Sequence, residues 1–181
     1  RVAKEKHLME IIGKGARRPQ RGIIIGTQVL EQSLDIDFDV LITDLCPMDL
    51  LLQRVGRLHR HDISRPEGLA QPLLYIMGES ETLEFEQGSA AIYGDYLLAR
   101  TQSLLPKEEI FIPRDIPLLV QQVYGGENIF WPSGIQEIYE KAQKKYEAAL
   151  ECKDDEANKQ FLLRRPHLKI KPEKWNLIGW L

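Results

Sequence analysis

The sequence predicts an α/β domain built on a mainly parallel sheet and followed by a helical extension. Three observations predict it. Short β-branched and aliphatic runs recur at Ile23–Ile25, Val40–Thr43 and Leu73–Met77. A helical pattern, Met48–Arg57, separates the second run from the third, the alternation that produces parallel strands with crossover helices. Beyond Gly78 strand-like runs cease and helical spacing takes over.

Lys4–Ile12 sets Leu8, Met9, Ile11 and Ile12 among charged residues, the pattern of an amphipathic helix. Gly13, Gly15 and Pro19 end it, and Ala16–Arg21 forms a basic connector. Ile23–Ile25, bounded by glycines, lacks alternating polar residues and so reads as a strand buried on both faces. Val40–Thr43 and Leu73–Met77 read the same way. Pro47 precedes the Met48–Arg57 helix, where its missing N–H costs nothing, and Leu50, Leu51 and Leu52 supply apolar contacts. A parallel sheet places ligands beyond the carboxyl ends of its strands, where Thr27 and Asp44 stand.

In the extension, Ala90–Leu105 reads as one helix that packs through Tyr93, Leu97, Leu98 and Leu104. Pro113 and Pro117 punctuate the next segment. Leu118, Leu119, Val120 and Val123 suggest a short helix, which Gly125 and Gly126 stop. Ile135–Leu163 is a long charged helix with Ile138, Tyr146, Ala149 and Leu150 on one face. There is no internal repeat and no low-complexity tract.

Composition excludes several classes. A hydrophobic fraction of 43% and a charged fraction of 28% over 181 residues describe an ordinary globular chain. No apolar run reaches bilayer length and no signal-peptide pattern opens the sequence, so no membrane partner is expected. Cys46 and Cys152 lie far apart and match no metal spacing, which fits a reduced, cytoplasmic compartment. The chain opens at Arg1 inside a helical pattern, as an excised fragment would. With 24 basic and 27 acidic side chains the net charge is −3, so any nucleic-acid contact must come from a local cluster.

Two segments carry chemistry. In the first, Gly26 to Asp37, a strand ends in Gly-Thr and acidic groups follow a polar turn. The Thr27 hydroxyl and nearby backbone N–H groups are suited to a nucleic-acid phosphate, and Asp35 to ribose hydroxyls. An ordinary strand-turn with solvated acids would look the same. In the second segment, Gln53-Arg54-Val55-Gly56-Arg57-Leu58-His59-Arg60-His61, residues Gln53, Arg57 and Arg60 are spaced to share one face of a helix end. Guanidinium forks meet phosphate oxygens with several charge-assisted hydrogen bonds, so this trio suits the terminal oxygens of a nucleoside triphosphate. A basic helix terminus that merely complements the dipole explains neither Gln53 nor Gly56.

Together the segments resemble motifs V and VI of the second RecA-like lobe of superfamily 2 helicases. Thr27 and Asp35 match T-x-x-x-x-x-G-x-D, and Gln53, Arg54, Gly56, Arg57 and Arg60 match Q-R-x-G-R-x-x-R. The resemblance implies a RecA-like three-layer domain over residues 1–80, a helical linker over 81–126 and a long-helix accessory segment over 127–181. It implies γ-phosphate contacts from Gln53, Arg57 and Arg60, the two arginines being the fingers. Asp35 and Gly56 would lie on the nucleotide, and Thr27 with Gln28 on the nucleic-acid backbone. Ser33 departs from the motif glycine and must accept whatever backbone angle the turn needs. With V-L-E-Q-S-L-D-I-D-F-D, Q-R-V-G-R-L-H-R-H and the later Phe111–Ile116 and Val123-Tyr124, the chain is similar to the CRISPR-associated helicase-nuclease of type I systems.

That family implies ATP with Mg2+, the first RecA-like lobe of the same parent chain, single-stranded DNA and a CRISPR surveillance complex as partners. No phosphate-loop and no D-E-x-D/H motif occurs in the sequence, so the Mg2+ ligands are expected in the first lobe and this chain alone is expected to be inactive. The alternatives are a non-catalytic RecA-like module that binds nucleic acid or protein, and an RNA helicase lobe. No metal site is expected: His59, His61 and Asp62 lack converging ligands. Arg17, Arg18 and Arg21 read as a solvated loop or a supporting phosphate contact, and Trp131, Trp175 and Trp180 as packing residues.

Overall fold

Cys46, Met48, Leu51 and Leu52 are buried together with Leu119 and Val123, and this cluster is the centre around which the elements pack. The structure is a computed structural model that describes residues 2–27, 34–107 and 109–160. In chain order its elements are α1 (Val2–Ile12), β1 (Val40–Asp44), α2 (Met48–Val55), β2 (Leu73–Met77), α3 (Gln87–Tyr93), α4 (Asp95–Leu104), α5 (Ile116–Tyr124) and α6 (Ser133–Gln160). A short 3-10 turn, Glu67–Leu69, precedes β2.

β1 and β2 pair in parallel, with Val40 opposite Leu73 and Asp44 opposite Met77. The expected parallel arrangement is therefore present, and α2 lies in the crossover between the strands. Alternate residues of a strand point to opposite faces. Thr43 is buried and its neighbour Ile76 packs against the core cluster. On the other face Ile42, Tyr75 and Met77 are exposed by half or more. These strands are covered on one face, whereas burial on both was expected.

Ile23–Ile25 is not a strand. The segment is irregular, and Ile23 and Ile25 are 91% and 94% exposed. An apolar run becomes a buried strand only when a neighbour takes its N–H and C=O groups, and among the described residues no strand pairs with it. Thr27 accordingly follows an irregular segment and not a strand tip.

The expected single helix over 90–105 is two, α3 and α4, broken at Gly94 with φ +80° and ψ 141°. That backbone region is open essentially to glycine alone, so helical geometry cannot pass through it. Leu98 behind the break is fully buried, and Tyr93, Leu97 and Leu104 pack against the core cluster as expected. α5 packs on both α2 and α4. It buries Leu119 and Val123 and ends at Gly125, while Leu118 stays exposed.

Arg100 of α4 binds this layer together. It is 1% exposed, and its guanidinium donates to the carbonyls of Gln122 (2.6 Å), Val123 (2.5 Å), Gly125 (3.0 Å) and Glu127 (2.8 Å) and to the Tyr139 hydroxyl (3.0 Å). The carbonyls at the end of α5 lack intrahelical partners and carry the negative pole of the helix, so a buried cation there is well matched.

The Cα framework divides into two units, residues 1–142 and 143–181. The first contains every element through the opening turns of α6, where Tyr139 is buried beside Tyr96 and Trp131. Trp131 packs as expected, while Trp175 and Trp180 lie outside the described residues. The second unit is described through the remaining turns of α6, whose Ala149 and Leu150 are exposed.

Candidate functional site

The segment Asp35–Asp39 runs between two other parts of the chain and holds both. On one side the Asp37 N–H donates to the Ile12 carbonyl at the end of α1 (3.0 Å). On the other, the Phe38 N–H donates to the Arg57 carbonyl (2.8 Å) and the His59 N–H to the Phe38 carbonyl (3.0 Å). The two motif segments, separate in sequence, are therefore laced together by backbone.

α2 ends at Val55 and not at Arg57, with Gly56 as its cap. Arg57 and Arg60 consequently stand on the turn after the helix and not on a helix face. The turn closes through hydrogen bonds from Arg57 to Arg54 and from Leu58 to Val55, and His59 takes a left-handed φ of 48°. Such a φ is disfavoured for a residue with a Cβ, so the paired Phe38 backbone has to hold it. Gln53 is exposed one turn earlier on α2.

Arg60 reaches back across this turn. Its Nε donates to Asp35 (2.6 Å) and its Nη1 to the Gly56 carbonyl (3.2 Å). His61 Nε2 lies 3.0 Å from the same Asp35 oxygen. These hydrogen bonds, first from His61 and then from Arg60, pull the Asp35 pKa down to about 2. Arg57 is half-buried, and its pKa is lowered by that burial and then by the charge of Arg60, with Asp35 acting in the opposite direction. Asp35, Gly56, Arg57 and Arg60 thus form one electrostatic unit. Thr27 is exposed before the undescribed stretch 28–33, so Gln28 and Ser33 lie outside the described residues.

Beneath this unit lies a network that sequence reasoning missed. Asp37 is 1% exposed and receives Arg18 Nη1, Arg65 Nη2 (2.9 and 2.7 Å) and the Arg60 N–H (2.6 Å). Asp39 receives the other nitrogens of both arginines. Burial works against the charge on Asp37, but the Arg65 guanidinium and the His61 and Arg60 N–H groups outweigh it and hold its pKa below the ordinary carboxylate value. Arg18 is therefore an internal ion-pair partner and not the solvated or phosphate-facing residue expected, whereas Arg17 and Arg21 are exposed. The acids at 35, 37 and 39 alternate, which was the available signal. Arg65, 28 residues from Asp37, gave none.

Arg54 acts inside the fold. Its Nη1 donates to the Thr43 hydroxyl (2.6 Å) and the Asp44 carbonyl (3.3 Å), and its Nη2 to the Tyr93 hydroxyl (3.3 Å), tying α2 to the end of β1 and to α3. A cavity of about 260 Å³ opens beyond the carboxyl ends of β1 and β2, lined by Asp44, Leu45, Met77, Gly78 and Glu86 among others. None of the motif residues lines it, and its two carboxylates do not suit a phosphate.

Residues 1–63 match the family model described as "CRISPR-associated nuclease/helicase Cas3, C-terminal". A Streptococcus thermophilus protein named CRISPR-associated nuclease/helicase Cas3 is 50% identical over the whole of this chain. The chain belongs to the Cas3 family. It spans 20% of that curated relative's length.

Solved Cas3 structures show the same fold. The T. fusca Cas3-ATP crystal structure superposes with a TM-score of 0.64 at 37% identity, covering 70% of this chain and 16% of that one. A chain of a CRISPR RNA-guided surveillance complex, pre-nicking, superposes at 0.66 and 31% identity, covering 83% and 20%. The α/β, RecA-like class expected from sequence and the membership in the CRISPR-associated helicase-nuclease family both hold. Among the described residues no helix is long and apolar enough to cross a membrane.

Proposed function

We propose that this chain is the part of an ATP-dependent helicase that supplies motifs V and VI to a nucleotide site between two lobes. In this reading Arg57 and Arg60 are the finger arginines and Gln53 assists them at the γ-phosphate. Asp35 accepts from the ribose hydroxyls, and Gly56 lines the nucleotide. Thr27 and Gln28 lie on the backbone of single-stranded DNA. The likeness to the T. fusca Cas3-ATP crystal structure supports the nucleotide, and the likeness to the surveillance-complex chain supports a CRISPR complex as partner. The first RecA-like lobe of the parent chain would hold ATP with Mg2+, because this sequence has neither a phosphate loop nor a D-E-x-D/H motif. Neither cysteine is in a disulfide, which fits a cytoplasmic setting.

One observation carries the proposal. Arg57 sits partly buried on the turn that also carries Arg60, and burial and then the charge of Arg60 lower its pKa against the opposing pull of Asp35. A cationic pair held this way is stabilised by an arriving anion, and most of all by one whose charge grows during the reaction. Gly56 adds support: its φ of −62° is open to any residue, and a Cβ there would meet the Leu52 and Gln53 carbonyls at ordinary distances of 3.4 and 3.5 Å. A bare backbone at 56 therefore serves an approach from outside the chain.

A second reading, a non-catalytic module, draws on the internal Arg60–Asp35 ion pair. That pair is weak ground for it. The two side chains are 41% and 43% exposed, so water screens their attraction and a triphosphate competes easily for Arg60.

The test is steady-state ATP hydrolysis by the full-length protein that carries this chain, with single-stranded DNA present. Arg57→Ala and Arg60→Ala should each lower kcat by roughly 10³-fold or more while KM for ATP moves only a few-fold. Equal losses in both parameters, or none, would contradict the finger role.

A further inference from the structure

The Asp37 carboxylate is the most deeply buried acid in this region, and it touches none of the groups assigned to the nucleotide except through the Arg60 backbone. Three other side chains make that burial possible. Arg18 and Arg65 each bridge Asp37 and Asp39, so two positive and two negative charges close on themselves. Arg65 is 6% exposed and also donates to the His61 carbonyl (3.3 Å). A buried carboxylate without such partners would give up its charge, whereas a fully paired one is a rigid anchor.

What the anchor holds is the chain around Arg60. Asp37 Oδ1 accepts from the Arg60 N–H at 2.6 Å and lies 3.4 Å from the His61 N–H. Arg60 follows His59, whose left-handed φ is held by the paired Phe38 backbone, and Asp37 fixes the two N–H groups that come next. The Arg60 side chain, whose guanidinium is held by Asp35 and the Gly56 carbonyl, therefore springs from a backbone fixed by a carboxylate that it never contacts. His61, fixed by the same oxygen, carries its ring to Asp35.

We propose that Asp37 is a positioning residue for Arg60: its buried, doubly arginine-paired carboxylate clamps the backbone at 60 and 61 and so aims the Arg60 guanidinium at the triphosphate. This rests on the finger role proposed above for Arg60. A displacement of about 1 Å in a catalytic group costs about 10²-fold in rate, so a backbone clamp is worth a measurable factor.

The experiment is a double-mutant cycle on DNA-stimulated ATP hydrolysis by the full-length protein. Its variants are Asp37→Asn, Arg60→Ala and the two combined. Asp37→Asn should lower kcat about tenfold or more with KM for ATP within about twofold, and should cost nothing further in the Arg60→Ala background. Equal losses from Asp37→Asn in both backgrounds would make Asp37 merely structural and overturn the proposal, leaving the finger role intact. Wild-type turnover by Arg60→Ala would instead overturn the finger role, and the proposal with it.

Should Asp37→Asn not fold, the pair Asp37→Leu with Arg65→Met replaces one buried ion pair by apolar groups of similar bulk. It leaves Arg18 with Asp39, an exchange that buried pairs often tolerate. It removes the same clamp and should give the same kcat loss and the same absence of effect without Arg60. An additive loss from this pair contradicts the clamp as surely as one from the single variant.

Discussion

Asp35 is where charge on the exposed side of the site is decided. With its pKa at about 2 against an ordinary value of 3.8, it stays ionised through mildly acidic conditions. A carboxylate whose folded-state pKa is lowered stabilises the fold fully above the ordinary value, and that contribution is lost as pH falls through the folded one. The Arg60 and His61 contacts should thus persist at pH 4 and fade between roughly pH 4 and 2. A carboxyl carbon titration by NMR should give a midpoint near 2 for Asp35, and Arg60→Ala should raise it. A midpoint near 3.8 in the unmodified protein would mean that neither partner holds Asp35 in solution. Much of this site was legible in sequence, because Gln53, Gly56, Arg57 and Arg60 lie within one short segment whose residue types match phosphate chemistry. Asp37 and Arg65 were not. Their pairing joins residues with no local spacing relation, and the alternating acids at 35, 37 and 39 say nothing of a partner 28 residues on.

At the scale of elements, packing around α5 rests on Arg100. Replacing it with Met would leave the carbonyls of Gln122, Val123, Gly125 and Glu127 without their donors in a buried place. Loss of such a group costs about 2–4 kcal/mol. Chemical denaturation should show that loss for Arg100→Met, whereas a change below about 0.5 kcal/mol would mean the end of α5 is satisfied by water. Helices and strands were readable where the pattern has one period, as in α1, α2 and β2. The break at Gly94 was hidden because apolar residues continue on both sides of it, and a single positive φ resets the helix axis. Ile23–Ile25 misled for the opposite reason: apolar content there is strong, but a strand is a property of two segments, and composition describes only one.

For the whole molecule, the governing fact is that a Cas3-family chain spanning a fifth of its relative's length contains the Q-R-x-G-R-x-x-R pattern and lacks a phosphate loop. In the proposed function its contacts strengthen as charge builds on a triphosphate held elsewhere in the parent protein. The most direct measurement compares, for the full-length protein and its Arg60→Ala variant, affinity for a transition-state mimic (ADP with aluminium fluoride) and for a non-hydrolysable ATP analogue. Arg60→Ala should weaken binding of the mimic by about 10²-fold or more while affinity for the ATP analogue changes only a few-fold. Unchanged affinity for both compounds in the variant would contradict the proposed function.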